Sequence, residues 1–167
     1  CDQEYFNERP ISTQQSGFVF VAQMRYELPD PIGGVLWFGT DDANMTVFTP
    51  VYCCTDKVPV CYTRVDGADY ITFSWNSAFW IFNWVANMVY PRYDLMMGDV
   101  RATQTELETT FNEAQEGVEA AAAKLLEKDP AKAKAFLTNY TIMSAQSTVD
   151  SWTRLGEFLV VKYNEGG

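Results

Sequence analysis

The apolar positions change their period near residue 72. Before it they come in short blocks separated by turn residues. Residues 16–25 (SGFVFVAQMR) set Phe18, Phe20, Ala22 and Met24 against Val19, Val21 and Gln23. Both sets are largely apolar through Val21, which predicts a strand covered on both faces. Leu28-Pro29-Asp30-Pro31-Ile32-Gly33-Gly34 is turn chemistry, with prolines fixing φ and glycines permitting positive φ. Residues 34–40 (GVLWFGT) predict a second strand, Asp41-Asp42-Ala43-Asn44 a tight turn, and residues 45–53 (MTVFTPVYC) a third strand. Pro50 lacks an N–H, so the far end of that strand is expected at an edge or a bulge. The three form an antiparallel meander.

After residue 72 the period becomes helical. Phe79, Phe82, Ala86, Val89 and Tyr93 make a stripe within residues 76–97, a segment apolar on nearly all sides and therefore buried. Pro91 is expected to kink or end it. Leu107, Phe111, Ala114, Val118, Ala122 and Leu125 mark an amphipathic helix over about 99–127. Asp129-Pro130 reads as an N-cap followed by proline at the first helical position. Phe136, Tyr140, Met143, Trp152, Leu155 and Leu159 then mark a partner helix, antiparallel to the one before. The polar run 144–151 weakens that pattern, and residues 158–163 (FLVVKY) also fit a strand. The fold class is thus α+β, with strands over about 11–55 and helices over about 74–160 in a single domain.

The 167 residues carry 12 basic and 22 acidic side chains, a net charge of −10. Nucleic acid is an unsuitable partner for such a chain, because phosphate binding needs a basic footprint. No apolar run is long enough to span a membrane. The chain has no histidine, which removes Ser-His-Asp and Cys-His catalytic sets and histidine metal ligands. Four cysteines are present, Cys1, Cys53, Cys54 and Cys61. Their spacing gives no zinc motif, and no metal or cofactor is called for. Buried thiols in a reducing compartment are the favoured reading, with a Cys53–Cys61 or Cys54–Cys61 bridge as the alternative.

Few residues stand out as chemistry. Asp41-Asp42 could bind a metal or an ammonium group, but adjacent acids in a hairpin turn more often face solvent or cap backbone amides. Trp75, Phe79, Trp80, Phe82 and Trp84 could line a cleft, although helical spacing favours a core. An N-terminal cysteine such as Cys1 can be a nucleophile with its own α-amine as base. The polar residues after it do not read as a strand that would hold it rigidly.

Longer strings carry more. Ile11-Ser12-Thr13-Gln14-Gln15-Ser16-Gly17-Phe18 and Leu28-Pro29-Asp30-Pro31-Ile32-Gly33-Gly34-Val35-Leu36-Trp37-Phe38-Gly39 resemble the late sheet segment of the PepD-type dipeptidases. Asp41-Asp42, Tyr52-Cys53, Ser77-Ala78-Phe79-Trp80-Ile81-Phe82-Asn83 and Leu155-Gly156-Glu157-Phe158-Leu159-Val160-Val161-Lys162-Tyr163-Asn164 continue the resemblance in order. It runs from about Asn7 to the C-terminus. These dipeptidases are cysteine peptidases of the N-terminal-nucleophile hydrolase superfamily.

The resemblance implies an αββα sandwich, of which this chain supplies strands and covering helices, and an enzyme about three times as long. It implies a nucleophilic cysteine upstream of this chain, dipeptide substrates, and the N-terminal part of the same protein as partner. No catalytic group is then expected here, with Cys1 as the alternative. Gln15, Arg25, Asp41 and Asp42 are the polar residues nearest strand ends and the candidates for substrate binding. The missing initiator Met suggests a processed chain or a piece of a longer one. The compartment stays open between bacterial cytoplasm and, given a signal peptide on the precursor, periplasm or exterior. A homo-oligomer is compatible with the apolar strands. The competing reading is a non-enzymatic interaction domain with an aromatic docking face.

Overall fold

The computed structural model describes residues 11–164. The chain runs β1 (Phe18–Met24), a four-residue helix α1 (Asp30–Gly33), β2 (Gly34–Thr40), β3 (Thr49–Tyr52), then α2 (Ala78–Val89), α3 (Tyr93–Leu126) and α4 (Pro130–Lys162). The sheet is antiparallel with order β1-β2-β3, the meander expected. Phe18 pairs with Thr40 and Met24 with Gly34, and Val35 pairs with Tyr52 on the other side of β2. The chemistry of residues 28–34 yields α1 rather than a bare turn, with Ile32 and Gly33 N–H groups bonded to the Pro29 carbonyl.

The inner face of the sheet packs on the helical hairpin. Val35 and Tyr52 are buried in one cluster with Ala122 of α3 and Leu137 of α4. Met45, Val47, Ile81, Val85, Leu107, Phe111, Val149 and Trp152 belong to the second, larger cluster. Phe82 stacks on Trp152 with centroids 4.6 Å apart, which joins α2 to α4. A Cβ on Gly156 would collide with the Trp84 ring, so this glycine sets how closely the two helices approach.

The third strand is shorter than residues 45–53 suggested. The Asp42 carboxylate accepts the Asn44 and Met45 N–H groups, at 2.7 and 3.0 Å. The Gln104 amide of α3 donates to the Asn44 and Thr46 carbonyls. The backbone over 44–46 is therefore taken up by side chains before it can extend the ladder. Pro50 lies within β3, which is an edge strand as its missing N–H requires.

The free edge of β3 is covered by α4. Tyr52 N–H donates to Thr141 Oγ1 at 3.2 Å, and Thr49 Oγ1 lies 3.1 Å from Thr148 Oγ1. Thr138, Thr141, Ser144 and Thr148 are all buried. The polar run that weakened the helical pattern is thus a stripe of small hydroxyl residues that satisfies an exposed strand edge. Rotating that stripe inward turns Met143 out, and Met143 is 70% exposed instead of in the hairpin core. Residues 158–162 belong to α4, so the strand alternative for 158–163 is excluded.

Pro91 ends the second helical segment as its geometry requires: α2 stops at Val89, a 3-10 turn covers Tyr90–Arg92, and α3 follows from Tyr93. The α3 helix therefore starts earlier than residue 99. Asp129 caps α4, accepting the Ala131 and Lys132 N–H groups. The expectation that β1 is covered on both faces does not hold in this chain. Phe18, Phe20 and Met24 are 61%, 52% and 73% exposed on the outer face.

Candidate functional site

The sheet, the loop after β3 and the start of α2 meet at the end of β2. There they enclose a cleft of about 460 Å³, lined among others by Phe18, Phe38, Tyr62, Tyr70, Phe79 and Trp80. Small-molecule sites commonly fall between roughly 300 and 1,000 Å³. The aromatic walls hold one another. Phe38 meets Tyr62 edge-on at 5.1 Å and stacks with Phe18 at 6.0 Å, while Phe79 and Trp80 are 5.2 Å apart. Arg64 and Asp69 also line the cleft and pair with each other at 3.1 Å.

One wall is a loop held in a defined shape. Asp66 takes a left-handed conformation (φ 55°) and Gly67 follows at φ 75°. The Asp66 carboxylate accepts Ser74 Oγ at 2.8 Å and Asn76 Nδ2 at 2.7 Å, and these bonds hold its pKa below the usual carboxylate value. The Trp80 indole N–H donates to both the Asp69 and Thr72 carbonyls, at 2.9 and 2.8 Å.

Beyond Thr40, which lines the cleft, lies an acidic turn. Asp41 and Asp42 are only 3% and 1% exposed, against the expectation of solvated acids. Their burial follows from the polar groups that α2 and the segment behind it bring to them. Asn83 Nδ2 donates to Asp41 Oδ1 at 3.2 Å, and the Tyr90 hydroxyl donates to Asp42 Oδ2 at 3.0 Å. Asp42 also caps backbone amides, the other half of the expectation. Burial pushes the Asp41 carboxyl up to about 6, against the Asn83 hydrogen bond and with a smaller push from Asp42. Asp41 is left-handed at φ 65°, and its N–H donates to the Gly17 carbonyl, which ties the turn to the segment leading into β1.

The four sequence candidates divide between the two ends of the sheet. Gln15 is exposed, bonded to Thr13, and precedes Gly17 on the cleft side. Asp41 and Asp42 close the same end. Arg25 follows β1 at the opposite end, about 20 Å away along the strand at roughly 3.3 Å per residue. There its guanidinium pairs with Glu119 of α3 at 2.6 Å and donates to the Ile32 carbonyl. Tyr52 OH donates to the same Glu119 at 3.1 Å. Arg25 thus fastens the sheet to α3. Cys1 lies outside the described residues.

Asn83, Tyr90, Arg64 and Asp69 were not among the candidates. Asn83 alone carried a signal, a polar amide interrupting an otherwise apolar helix. The aromatic set divides as well. Phe82 is core, Phe79 and Trp80 are half-buried at the cleft, and Trp75 is 58% exposed. Cys53 is exposed and Cys54 half-buried, so among the described cysteines only Cys61 fits the picture of buried thiols, and these three are free. Burial raises the Cys61 thiol to about 11, which leaves it an inert thiol at neutral pH. Among the described residues no cluster of three or more acidic or cysteine side chains could hold a metal ion, and no helix is long and apolar enough to cross a membrane.

No curated protein matches the chain. The family model for peptidase family C69 matches residues 2–106. That span takes in the sheet, the cleft, the acidic turn and α2, and ends inside α3. It leaves the rest of the helical hairpin outside the match. On the match over residues 2–106, the chain belongs to peptidase family C69.

Proposed function

We propose that this chain is the C-terminal portion of a cysteine dipeptidase whose nucleophile lies upstream of it. The observation that carries this reading is the family match over the sheet and cleft. The exposed Phe20 and Met24 on the outer face of β1 support it, since a strand apolar on both sides is suited to a second covering layer beside the cleft that Phe18 lines. In that enzyme the cysteine thiolate attacks the peptide carbonyl of a dipeptide. The free α-amine takes the thiol proton and returns it to the leaving amine. Amide donors stabilise the oxyanion, and water releases the acyl group.

In this reading the present chain builds one wall of the substrate site. Asp41 and Asp42 are too buried to touch a substrate freely, so they act by holding the turn at the end of β2. Gln15 lies on the exposed approach to the same end. Arg25 serves the joint with α3. The test is to compare dipeptide hydrolysis by the protein made from its whole reading frame with hydrolysis by this chain alone. Activity in the first and none in the second is expected. Turnover by this chain alone, abolished by Cys1→Ser, overturns the upstream nucleophile.

A second reading rests on Tyr70, Ile71, Phe73 and Trp75, which are 83%, 77%, 45% and 58% exposed on one loop. Such a surface suits docking by a non-enzymatic interaction domain. Failure of the whole reading frame to hydrolyse any dipeptide favours it.

A further inference from the structure

We propose that the cleft at the end of β2 is a side-chain subsite for an apolar residue of the dipeptide, of leucine or phenylalanine size. Trp80 acts as the positioning residue of its wall. The inference rests on the peptidase reading above and names the substrate class for it.

The lining decides the chemistry. Phe18, Phe38, Tyr62, Phe79 and Trp80 present ring surface to the cleft. Its charged lining residues, Arg64 and Asp69, are bonded to each other, and the Asp69 carboxylate also accepts the Ile71 N–H. Arg64 is 76% exposed, so its guanidinium stays in water at the mouth, and a charged substrate side chain passing beyond it among the rings would shed water without a partner there, which is costly. An apolar side chain loses nothing and gains contact with several rings. The cleft volume of about 460 Å³ suits a small molecule rather than a folded partner.

Trp80 gives the wall its shape. Its single N–H is shared by the Asp69 and Thr72 carbonyls, so one side chain of α2 clamps both ends of the loop segment that carries Tyr70. Tyr70 lines the cleft while remaining 83% exposed, which places it at the mouth. Trp80→Phe keeps an aromatic ring on the wall while removing the donor and part of the indole's bulk, so it is compared with Phe79→Ala, which removes ring surface without touching the clamp.

The experiment measures kcat/KM on the protein from its whole reading frame with Ala-Ala, Ala-Phe, Phe-Ala, Ala-Glu and Glu-Ala. At one of the two positions Phe is expected to exceed Glu by about 100-fold or more. Phe79→Ala is expected to lower the Phe-to-Ala preference at that position by about tenfold or more, within the range one apolar contact supplies. Tyr70→Ala, on an exposed side chain that does not threaten folding, is expected to lower the same preference. Trp80→Phe is expected to raise KM for the Phe peptide more than it changes kcat. In parallel, N-acetyl-phenylalaninamide is titrated into this chain while the Trp80 indole N–H resonance is followed, with N-acetyl-glutaminamide as the polar control. Dipeptide hydrolysis with equal rates for Phe and Glu, or a preference untouched by Phe79→Ala and Tyr70→Ala, overturns the subsite and leaves the peptidase reading standing. A shift of the indole resonance by the phenylalanine probe in a protein that cleaves no dipeptide upholds the apolar site and overturns the peptidase reading. No cleavage and no shift overturns both.

Discussion

Asn83 Nδ2 donates to Asp41 Oδ1 at 3.2 Å, so a single amide on α2 is bonded to a buried carboxylate at the end of β2. Asp41 is 3% exposed, and burial raises its carboxyl from 3.8 to about 6, more than Asn83 lowers it. The folded state thus holds this proton more tightly than the unfolded chain does. The contribution of the protonated carboxyl to stability is fully present below about pH 4 and is lost as pH rises from there through about 6. Ionised Asp41 costs the fold up to about 3 kcal/mol at neutral pH. Asp41→Asn removes the titration and keeps a residue that tolerates the left-handed backbone. The stability of the wild type minus that of the variant is expected to fall as pH rises from 4 to 7. Urea midpoints at each pH check it, and a difference independent of pH contradicts the assignment.

Glu119 receives both Arg25 nitrogens, the Tyr52 hydroxyl and the Gln115 amide. The hydrogen bond from Arg25 to Glu119 is the main cause of the raised Arg25 pKa. Glu119→Ala strands a half-buried guanidinium and is expected to cost about 2–4 kcal/mol. The joint lies at the far end of the sheet from the cleft. In the protein from its whole reading frame, turnover per folded molecule should therefore hold while the denaturant midpoint drops. A drop in turnover at unchanged stability would move Arg25 into the substrate site.

Phe111 is 6% exposed in the larger core cluster, within the hairpin and away from the cleft lining. Phe111→Ala is expected to cost about 3–5 kcal/mol. The same measurement pair applies. A large loss of turnover in a variant of unchanged stability would show that the hairpin shapes the active site.

The outer face of β1 gives a surface test. Phe18, Phe20 and Met24 stand more than half exposed on the outer face of β1, an edge strand of the sheet among the described residues. This chain in isolation is expected to dimerise or bind an apolar dye. Phe20→Lys should reduce both with little change in stability. A strictly monomeric chain that binds no dye at high concentration contradicts the idea of a missing layer.

The meander, the break at Pro91 and the cap at Asp129 were legible because each follows from one local rule, a period of two, a missing N–H and a short acceptor side chain. Boundaries moved where distant groups intervened. The strand over 45–53 lost its first part to the Asp42 and Gln104 side chains, which no local pattern announces. Met143 was misplaced because the hydroxyl stripe of α4 faces a strand edge, so burial there follows hydrogen-bonding need rather than hydrophobicity. The site was legible only in part. The Asp41-Asp42 pair was visible, but its burial depends on Asn83 and Tyr90, over 40 residues away. The Trp80 clamp depends on a loop whose left-handed Asp66 has no distinctive sequence mark beyond the glycine after it.

The most direct measurement is dipeptide hydrolysis, followed as free amino acids, by the protein from its whole reading frame and by this 167-residue chain side by side. Hydrolysis by the former, lost on substitution of a cysteine upstream of this chain, and none by the latter are expected. Hydrolysis by this chain alone that disappears in Cys1→Ser, or no hydrolysis by either protein, would contradict it.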